Sequence, residues 1–465
     1  MAKTEAAAER ARYNRGRVQP PGPKGHLLVG VLPEFRKDPA GFLEKMARQY
    51  GDVVYIPLGR QHIYYLGHPD MIRDVLVTRQ NKFKKSRMLE RARVLLGDGL
   101  LTSEGEHHRR QRRLAQPAFH RDRLAGYGAV MVERSAIVRD QWKSGQAFDV
   151  LQEMMRLTLA IVAKTLFSTD VDSEADDIGA ALTQVFDLFE VVLMPFSEIL
   201  EKLPLPAVRR FKRARKRLDE TIYRLISERR VQGGDAGDLL SMLLLAQDEE
   251  GSGGMTDEQV RDEALTLFLA GHETTADALT WAWYLLSQNP QAEAVFHAEL
   301  DRVLAGRLPS FDDLPQLRYT ESVFAEALRL YPPAWGIGRR ALEDYPVGDF
   351  LIPARSVVLM SPYAAHRDPR WFSDPLAFRP ERWLADDPAR PKFAYFPFGG
   401  GARVCIGERF AWMEGTLLLA AIGQRWRLRL EPGHRVETHA RITLRPKYGM
   451  RMIAERRDSG QHAVE

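Results

Sequence analysis

The sequence predicts an α+β fold in which helices predominate and a small set of strands is segregated from them. Most of residues 69–345 has helical patterning, whereas the strand patterns lie near the two ends of the chain. Residues 53–56 and 62–66 are rich in β-branched and aromatic side chains around a short polar turn, which predicts a hairpin. Residues 426–430 and 442–444 predict further strands. Such segregation is typical of the α+β class.

One predicted helix stands out by its length. It begins with a capping-box sequence, Thr256 followed by Gln259, and its pattern continues to Ser287. This span predicts a helix of roughly 45–50 Å. The residues on both sides of its midpoint are nearly all apolar, which predicts burial, yet Glu273 and Thr274 interrupt them. Because buried carboxylates and hydroxyls are costly without partners or a use, the interruption indicates a satisfied network or a functional site.

The composition is that of an ordinary globular protein, with 45% hydrophobic and 28% charged residues. A formal net charge of +5 argues against nucleic acid as a partner. Residues 1–19 are charged and contain no apolar run, so we expect a flexible segment without a transmembrane anchor. The single cysteine excludes an internal disulfide and fits a reducing compartment, and we expect a cytoplasmic protein.

That cysteine, Cys405, lies within the segment Phe-Gly-Gly-Gly-Ala-Arg-Val-Cys-Ile-Gly, residues 398–407. The glycines permit tight turns and a close approach to a flat partner. Arg403 can offer a donor fork to a carboxylate. A helix is predicted from Gly407 onward, so Cys405 precedes a helix N-terminus, where the thiolate is favoured. A thiolate ligand beneath a haem favours cleavage of the O–O bond.

This segment resembles the haem-binding loop of the cytochrome P450 monooxygenases, whose pattern is Phe-x-x-Gly-x-Arg-x-Cys-x-Gly. Every fixed position is filled, which makes the signal strong. The resemblance extends from about residue 20 to about residue 455 and implies a single cytochrome P450 domain over residues 20–465. It also implies haem b with an axial thiolate from Cys405, and haem contacts from Phe398, Arg403 and Gly407.

The polar interruption of the long helix, residues 270–275, is similar to the Ala-Gly-x-Glu/Asp-Thr-Thr segment of the same family. The resemblance implies that Ala270 lies against the haem and that Thr274 orients dioxygen and water. Glu273 would bring protons from solvent. An acid and an alcohol are suitable groups where two protons must enter a site that is otherwise dry.

Two further family segments precede the cysteine loop, and they contain Glu326, Arg329 and Arg382. Glu326 and Arg329 are three residues apart on a predicted helix, so they share a face and can pair. The resemblance implies that the three residues form a buried salt-bridged triad. Its expected role is to hold the fold around the haem, without a part in the chemistry.

The resemblance also implies cations for the two haem propionates, which need positive partners. Residues 105–113 are similar to the family's Trp-x-x-x-Arg helix, with His108 in the place of Trp and Arg112 in the place of Arg. Arg339 resembles a third contact, with Arg340 as the alternative, and Arg403 is the fourth.

By position, the family's substrate pocket would be lined by mostly apolar segments, although apolar residues there could equally be core. They are Leu95-Leu96, residues 186–194, 268–270, 334–337 and 448–450. The lining implies a lipophilic substrate of the fatty acid, terpenoid or steroid class, which would be hydroxylated with one atom of O2. No redox domain fits in the remaining residues, so electrons would come from a ferredoxin or flavodoxin with an NAD(P)H-dependent reductase. The expected docking residues are Arg109, Arg110, Arg113, Lys392 and Arg409.

Two alternatives within haem proteins remain at this stage. A peroxide-driven peroxygenase or a rearrangement enzyme on the same fold is disfavoured, because such members often lack the acid–alcohol pair that Glu273 and Thr274 provide. A haem-based sensor would bind haem without substrate-dependent turnover. A cysteine nucleophile without haem would leave the glycine-rich loop unexplained.

Overall fold

The computed structural model describes residues 19–26, 28–59, 61–168, 206–246 and 253–457. Two predictions fall largely outside these residues: the N-terminal segment 1–19 and the pocket-lining segment 186–194.

Helices predominate among the described residues, which confirms the predicted fold class. They are α1 (Leu32–Lys37), α2 (Pro39–Tyr50), α3 (Pro69–Arg73), α4 (Arg87–Arg91), α5 (Arg93–Leu96), α6 (Gly105–Ala115), α7 (Arg121–Gln141), α8 (Val150–Phe167), α9 (Pro206–Gln232), α10 (Leu239–Leu245), α11 (Asp257–Gln288), α12 (Pro290–Leu304), α13 (Arg318–Leu330), α14 (Pro362–Ala365) and α15 (Glu408–Gly423).

The strands are short and form small separate sheets. They are β1 (Val53–Leu58), β2 (Gln61–Leu66), β3 (Phe83–Lys85), β4 (Ala147–Asp149), β5 (Ile337–Ala341), β6 (Tyr345–Val347), β7 (Phe350–Ile352), β8 (Val357–Met360), β9 (Trp426–Leu430), β10 (Thr438–Ala440), β11 (Leu444–Pro446) and β12 (Arg451–Arg456).

The described residues divide into two compact units. Unit 1 is drawn from residues 1–87, 334–377 and 387–405, and unit 2 from residues 88–333, 378–386 and 406–465. The single domain over residues 20–465 stays a prediction.

Unit 1 is built on a five-stranded sheet with the order β1-β2-β8-β5-β3. The predicted hairpin is confirmed, since β1 and β2 pair antiparallel from Val53 opposite Leu66 to Leu58 opposite Gln61. Both faces of this hairpin are buried. Val53 and Leu66 belong to one apolar cluster, and Val54 belongs to another on the opposite face, as the alternation of side chains along a strand requires.

Unit 2 is organised around α11, which packs most extensively against α8. The predicted start is confirmed: Thr256 is the N-cap, and its hydroxyl and the Gln259 side chain form the reciprocal capping box. The helix ends at Gln288, just before Pro290 begins α12. Most of its length is buried, as its apolar flanks predict.

The strand predicted at residues 442–444 is wrong in its bounds. Ala440 of β10 pairs with Leu444 of β11, so residues 441–443 form the turn of a tight hairpin, closed by the Arg441 N–H donating to the Thr443 carbonyl. The β-branched Ile442 and Thr443 suggested a strand, but the pairing register leaves them in the turn. Thr443 thereby points its hydroxyl at a side chain of α11, as described below.

None of the helices in the described ranges is both long and apolar enough to cross a membrane. Even α11, with 32 residues, carries buried ionisable side chains such as Arg261, Glu263 and Asp277. The cytoplasmic location stays a prediction.

Candidate active site

Cys405 is an exposed thiol at the end of a closed loop in unit 1. Its backbone N–H donates to the carbonyl oxygen of Phe398 at 3.0 Å, which ties the two ends of the loop together. The helix α15 begins at Glu408 with Gly407 as its N-cap, so Cys405 lies just before a helix start, as predicted. An accessible sulfur at such a position is favoured as thiolate and can ligate a metal ion.

The glycines of this loop are required by the packing of unit 1. Gly401 has a φ of +68°, and a Cβ there would lie 1.9 Å from the carbonyl oxygen of Leu76. A Cβ at Gly400 would lie 2.5 Å from the ring of Phe393. The Ala402 N–H donates to the Gln80 side chain at 3.1 Å. The tight turn is confirmed, and these two glycines serve close contacts with the protein itself.

Arg339 and Arg340 lie side by side on β5, so their side chains point to opposite faces of the sheet. In the register with β3, Arg339 is opposite Lys85 and Arg340 is opposite Lys84. Like charges directly opposite each other are destabilising, so an anion beside either pair would reduce the repulsion. The two lysines were not predicted from sequence. A cation pair on each face suits a carboxylate ligand such as a haem propionate, and a given site can use only one face.

Arg403 closes the short 3₁₀ turn Gly401–Arg403, two residues before the thiol, and its side chain is half-buried. The structure therefore places Phe398, Arg403 and Cys405 in one loop of unit 1, with Arg339 in the sheet of the same unit. Their assignment to the haem stays a prediction.

In unit 2, the middle of α11 has one open face. Residues 260–269 are buried in succession, whereas Ala270 is exposed and Thr274, one turn later, is partly exposed. The Thr274 hydroxyl donates to the carbonyl oxygen of Ala270 at 2.6 Å. A small side chain and a hydroxyl, spaced by four residues, share one helix face. The middle of the helix thus exposes a small patch without large side chains. A flat group can lie against this patch, which carries one hydroxyl.

Glu273 has a different environment from its neighbour Thr274. Its side chain is only 5% exposed, and the Thr443 hydroxyl donates to its Oε1 atom at 2.7 Å. The predicted catalytic pair is therefore divided between an open face and a buried position beneath the β10–β11 turn. This carboxyl has almost no contact with solvent.

On α6, His108 is buried, with 3% exposure, and Arg112 lies one turn later on the same face, half-buried. Arg109 pairs with Glu106 at the surface, and Arg113 is exposed. The inward face of α6 therefore carries the two residues that the resemblance assigns to a propionate.

Arg110 forms hydrogen bonds to another segment of unit 2. Its Nη2 atom donates to the carbonyl oxygens of Gly253 and Gly254, at 2.9 and 3.2 Å. Among the predicted docking residues, the side chains of Arg109, Arg113, Lys392 and Arg409 are exposed, whereas that of Arg110 is half-buried.

The predicted triad is confirmed within unit 2. Arg329 binds the Glu326 carboxylate through Nε and Nη2, both at 2.8 Å, and Arg382 Nε donates at 2.9 Å. The Trp383 indole and the Arg379 backbone N–H also donate to this carboxylate, at 2.8 and 3.0 Å. Although burial would raise the pKa of Glu326, the hydrogen bonds and charges of the two arginines hold it below its ordinary value. The network joins α13 to the segment that contains Arg382.

Two buried carboxyl groups close to Glu273 and Thr275 were missed by the sequence analysis. Asp277 on α11 and Glu414 on α15 are both fully buried. Burial raises the pKa of Glu414 to about 8, although the Thr275 hydroxyl acts in the opposite direction. Both acids interrupt apolar helix segments, the same signal that drew attention to Glu273, so the sequence contained the information.

The predicted pocket-lining residues that the structure describes differ in burial. Leu95 and Leu96 are buried in an apolar cluster that also contains Phe268 and Leu269. Met450 is fully buried, whereas Tyr448 is 44% exposed. Leu95, Leu96 and Phe268 are therefore core residues whose apolar packing extends to the open face of α11 at Ala270.

Comparison with known proteins gives a family match over nearly the whole chain. A sequence profile described as cytochrome P450 matches residues 20–451. Cyclooctatin synthase from Streptomyces melanosporofaciens is 43% identical over 442 residues, 94% of this chain and 95% of that protein. Cyclooctat-9-en-7-ol 5-monooxygenase from the same organism is 40% identical, covering 87% and 88% of the two chains. Pentalenene oxygenase from Streptomyces avermitilis is 36% identical, covering 93% and 96%.

Proposed function

Because the chain belongs to the cytochrome P450 family, we propose that it hydroxylates a terpenoid whose surface is almost entirely hydrocarbon. The family places it among the haem-dependent monooxygenases, which are oxidoreductases that act on a lipophilic substrate with O2 and electrons from redox partners. The observation that carries the terpenoid assignment is the similarity, over 87–94% of the chain, to three proteins named for cyclooctatin, cyclooctat-9-en-7-ol and pentalenene.

The family uses haem with a cysteine thiolate as the axial ligand, and Cys405 is the only cysteine in the chain. When bound, haem supplies the activation of dioxygen and the transfer of one oxygen atom to a C–H bond. We assign the axial position to Cys405, supported by its exposed sulfur and the closed loop. Phe398, Gly407 and Ala270 are assigned to the surroundings of the ring, on the family motifs.

The propionate carboxylates are assigned to cations that the family motifs identify. His108 and Arg112 share the inward face of α6, and Arg403 precedes the thiol by two residues. Arg339 is favoured over Arg340 by the family motif.

Thr274 and Glu273 are assigned to proton handling. The Thr274 hydroxyl lies on the open face of α11 and can accept or donate a hydrogen bond there. Glu273, one residue earlier, is buried and held by Thr443, which keeps its carboxyl in one position. The two residues thereby hold a proton close to the open face while the apolar residues around them exclude bulk water.

Apart from the relatives, the substrate class is supported only by the apolar character of the packed core beside this face. Phe268 and Leu269 precede Ala270 on α11 and pack with Leu96 in one apolar cluster. Apolar walls select a ligand by shape and area buried, and they disfavour charged groups, which would lose their hydration. A terpene hydrocarbon or mono-alcohol satisfies this condition better than a fatty acid, which carries a carboxylate.

Electrons are proposed to come from a ferredoxin or flavodoxin with an NAD(P)H-dependent reductase. Arg109, Arg113 and Arg409 are exposed cations on unit 2, and Lys392 is exposed on unit 1. Small acidic electron carriers are attracted by such residues, and opposite charges speed association at low salt.

The experiment is a titration of the purified haem protein with three sets of ligands: polycyclic terpenes and terpene mono-alcohols, fatty acids, and steroids. The readout is the low-spin to high-spin shift of the haem spectrum, followed by product analysis with a surrogate ferredoxin and reductase. We expect saturable shifts and mono-hydroxylated products from the terpenes and terpene alcohols. Tighter binding and faster turnover of a fatty acid or a steroid would overturn the substrate assignment and leave the reaction class intact.

A further inference from the structure

Two carboxyl groups lie one helical turn apart in the buried middle of α11. Glu273 is 5% exposed and Asp277 is fully buried. Residues at i and i+4 share a helix face, with Cβ atoms roughly 5–6 Å apart. Two negative charges at this separation in a poorly solvated interior repel each other strongly, so such a pair is most stable when it retains one proton.

The hydrogen bonds around the pair indicate which carboxyl holds that proton. The single hydroxyl proton of Thr443 is donated to Glu273 Oε1 at 2.7 Å, so this oxygen acts as an acceptor. No hydrogen bond of normal geometry reaches either side-chain oxygen of Asp277 among the described residues, although the Thr443 hydroxyl lies close enough to act on this carboxyl. An ionised carboxylate in that position would be costly, whereas a protonated one can donate to the remaining lone pair of the Thr443 oxygen.

The other charged and titratable groups near the pair do not change the assignment of the proton to Asp277. Burial and then the charge of Glu273 raise the pKa of Asp277 well above its ordinary value, while Thr443 and Arg445 act in the opposite direction. His272, on the same helix, is kept neutral because burial lowers its pKa to about 4. Glu414 approaches α11 from α15 at Thr275.

We propose that Asp277 stores a proton for the reaction and passes it through the Thr443 hydroxyl to Glu273. In this step the O–H bond of Asp277 breaks and its proton goes to the Thr443 oxygen. The original Thr443 proton moves to Glu273 Oε1, so Glu273 becomes neutral and Asp277 becomes charged. Glu273 then gives its proton to the open face at Thr274, and one proton from solvent restores the pair.

This inference rests on the proposed role of Glu273 and adds two residues to it. Asp277 and Thr443 touch neither substrate nor cofactor, so they are positioning residues that act through Glu273. They place one stored proton next to a carboxyl that has little exposure. The β10–β11 turn, which carries Thr443, is thereby part of the proton route.

The first test is infrared spectroscopy of the haem-loaded protein, which detects the carbonyl stretch of a protonated carboxylic acid and its shift in D2O. We expect two such bands at pH 7 in wild type, from Asp277 and Glu414. Asp277→Asn should remove one band and Glu414→Gln the other. Thr443→Val should retain the Asp277 band at a shifted frequency. A wild-type spectrum in which no band depends on Asp277 would overturn the proposal even if the variants were unstable.

The second test is turnover. Asp277→Asn and Thr443→Val should each slow NADPH consumption by about tenfold, in the range of proton-transfer effects, with an altered pH profile and a larger solvent isotope effect. Glu263→Gln is the matched control, because Glu263 is a buried carboxyl of the same helix that accepts from the Leu100 N–H. Glu263→Gln should leave the rate of NADPH consumption, its pH profile and the solvent isotope effect unchanged. Wild-type rates and pH profiles in the two test variants would overturn the inference, whereas loss of haem-thiolate spectra in wild type would instead overturn the proposed function.

Discussion

Thr274 donates a hydrogen bond from its hydroxyl to the carbonyl oxygen of Ala270, one turn earlier on α11, at 2.6 Å. Within residues 260–276, only Ala270, Gly271 and Thr274 are not buried. The hydroxyl thereby satisfies a backbone carbonyl and keeps its two lone pairs as acceptors. The side chain is therefore placed to exchange a local hydrogen bond for one to a bound oxygen species or water.

Replacing Thr274 by alanine should uncouple the enzyme while leaving it able to consume NADPH. Without the hydroxyl, proton delivery at the open face is misdirected, so hydrogen peroxide should form and product per NADPH should fall by roughly tenfold or more. Thr274→Ser is the matched control and should retain most of the coupling. The measurement is NADPH, peroxide and product in parallel. Full coupling in Thr274→Ala would transfer the role to another group, such as Thr275.

Glu273→Gln should produce a different defect. The amide keeps the shape and can still accept from Thr443, but it cannot carry a proton, so total turnover should fall while peroxide formation stays low. Comparison with Thr274→Ala in the same assay distinguishes the two roles. A loss of proton supply lowers total turnover, whereas misdirected protons raise the yield of peroxide. Equal peroxide yields in the two variants would contradict separate roles for the two residues.

Removing the charge of Glu326 should destabilise the fold. Glu326→Gln leaves the fully buried Arg329 without its anion, and breaking a buried pair costs roughly 3–5 kcal/mol. Glu228→Gln, which breaks the exposed pair with Arg224, should cost about 0–1 kcal/mol. Urea unfolding, followed by circular dichroism and by haem absorbance, measures both. Similar decreases in the free energy of unfolding for the two variants would show that the triad does not contribute more to stability than an exposed ion pair.

Glu414 should make stability fall as the pH rises. Its folded-state pKa is raised to about 8, so the folded protein keeps the proton while the unfolded chain loses it near the ordinary value of 4.5. Stability is therefore lost between these two values and levels off above about pH 8. Glu414→Gln should be more stable than wild type at pH 8 and equal to it at pH 4. A stability difference between the two proteins that does not change with pH would contradict a protonated Glu414.

Reduction by a ferredoxin should slow as salt increases, and Arg113→Glu or Arg409→Glu should slow it further at low salt. Surface charges steer an acidic partner over a distance that shortens with ionic strength. Arg210→Glu is the matched control, since Arg210 is an exposed arginine on α9, outside the proposed docking residues. Stopped-flow reduction rates measure the effect. Equal losses for all three variants would indicate a nonspecific charge effect.

The sequence was most informative where local pattern decides structure. Thr256 with Gln259 located the start of α11, and the complete motif around Cys405 located the loop and the helix that follows. It was less informative where distant segments pair. The cation pairs of β3 and β5 depend on a strand register, and Lys85 opposite Arg339 cannot be read from either segment alone.

Thr443 illustrates the same limit in a single residue. The β-branched Ile442 and Thr443 suggested a strand. Only the pairing of Ala440 with Leu444 places Thr443 in a turn, where its hydroxyl donates to Glu273. Asp277 was different, because an acid in an apolar helix segment is visible in the sequence. Its significance depends on burial and on the absence of a hydrogen bond of normal geometry within the described residues, which only the structure provides.

The central claim, that Cys405 is the thiolate ligand of a catalytic haem, is tested most directly by the spectrum of the reduced protein with carbon monoxide. Wild type should show the strongly red-shifted Soret band of thiolate ligation. Cys405→Ser should lose that band and all monooxygenase turnover, while circular dichroism shows a helical fold. A Cys405→Ser protein that keeps the wild-type spectrum, or a wild-type spectrum typical of histidine ligation, would contradict the account.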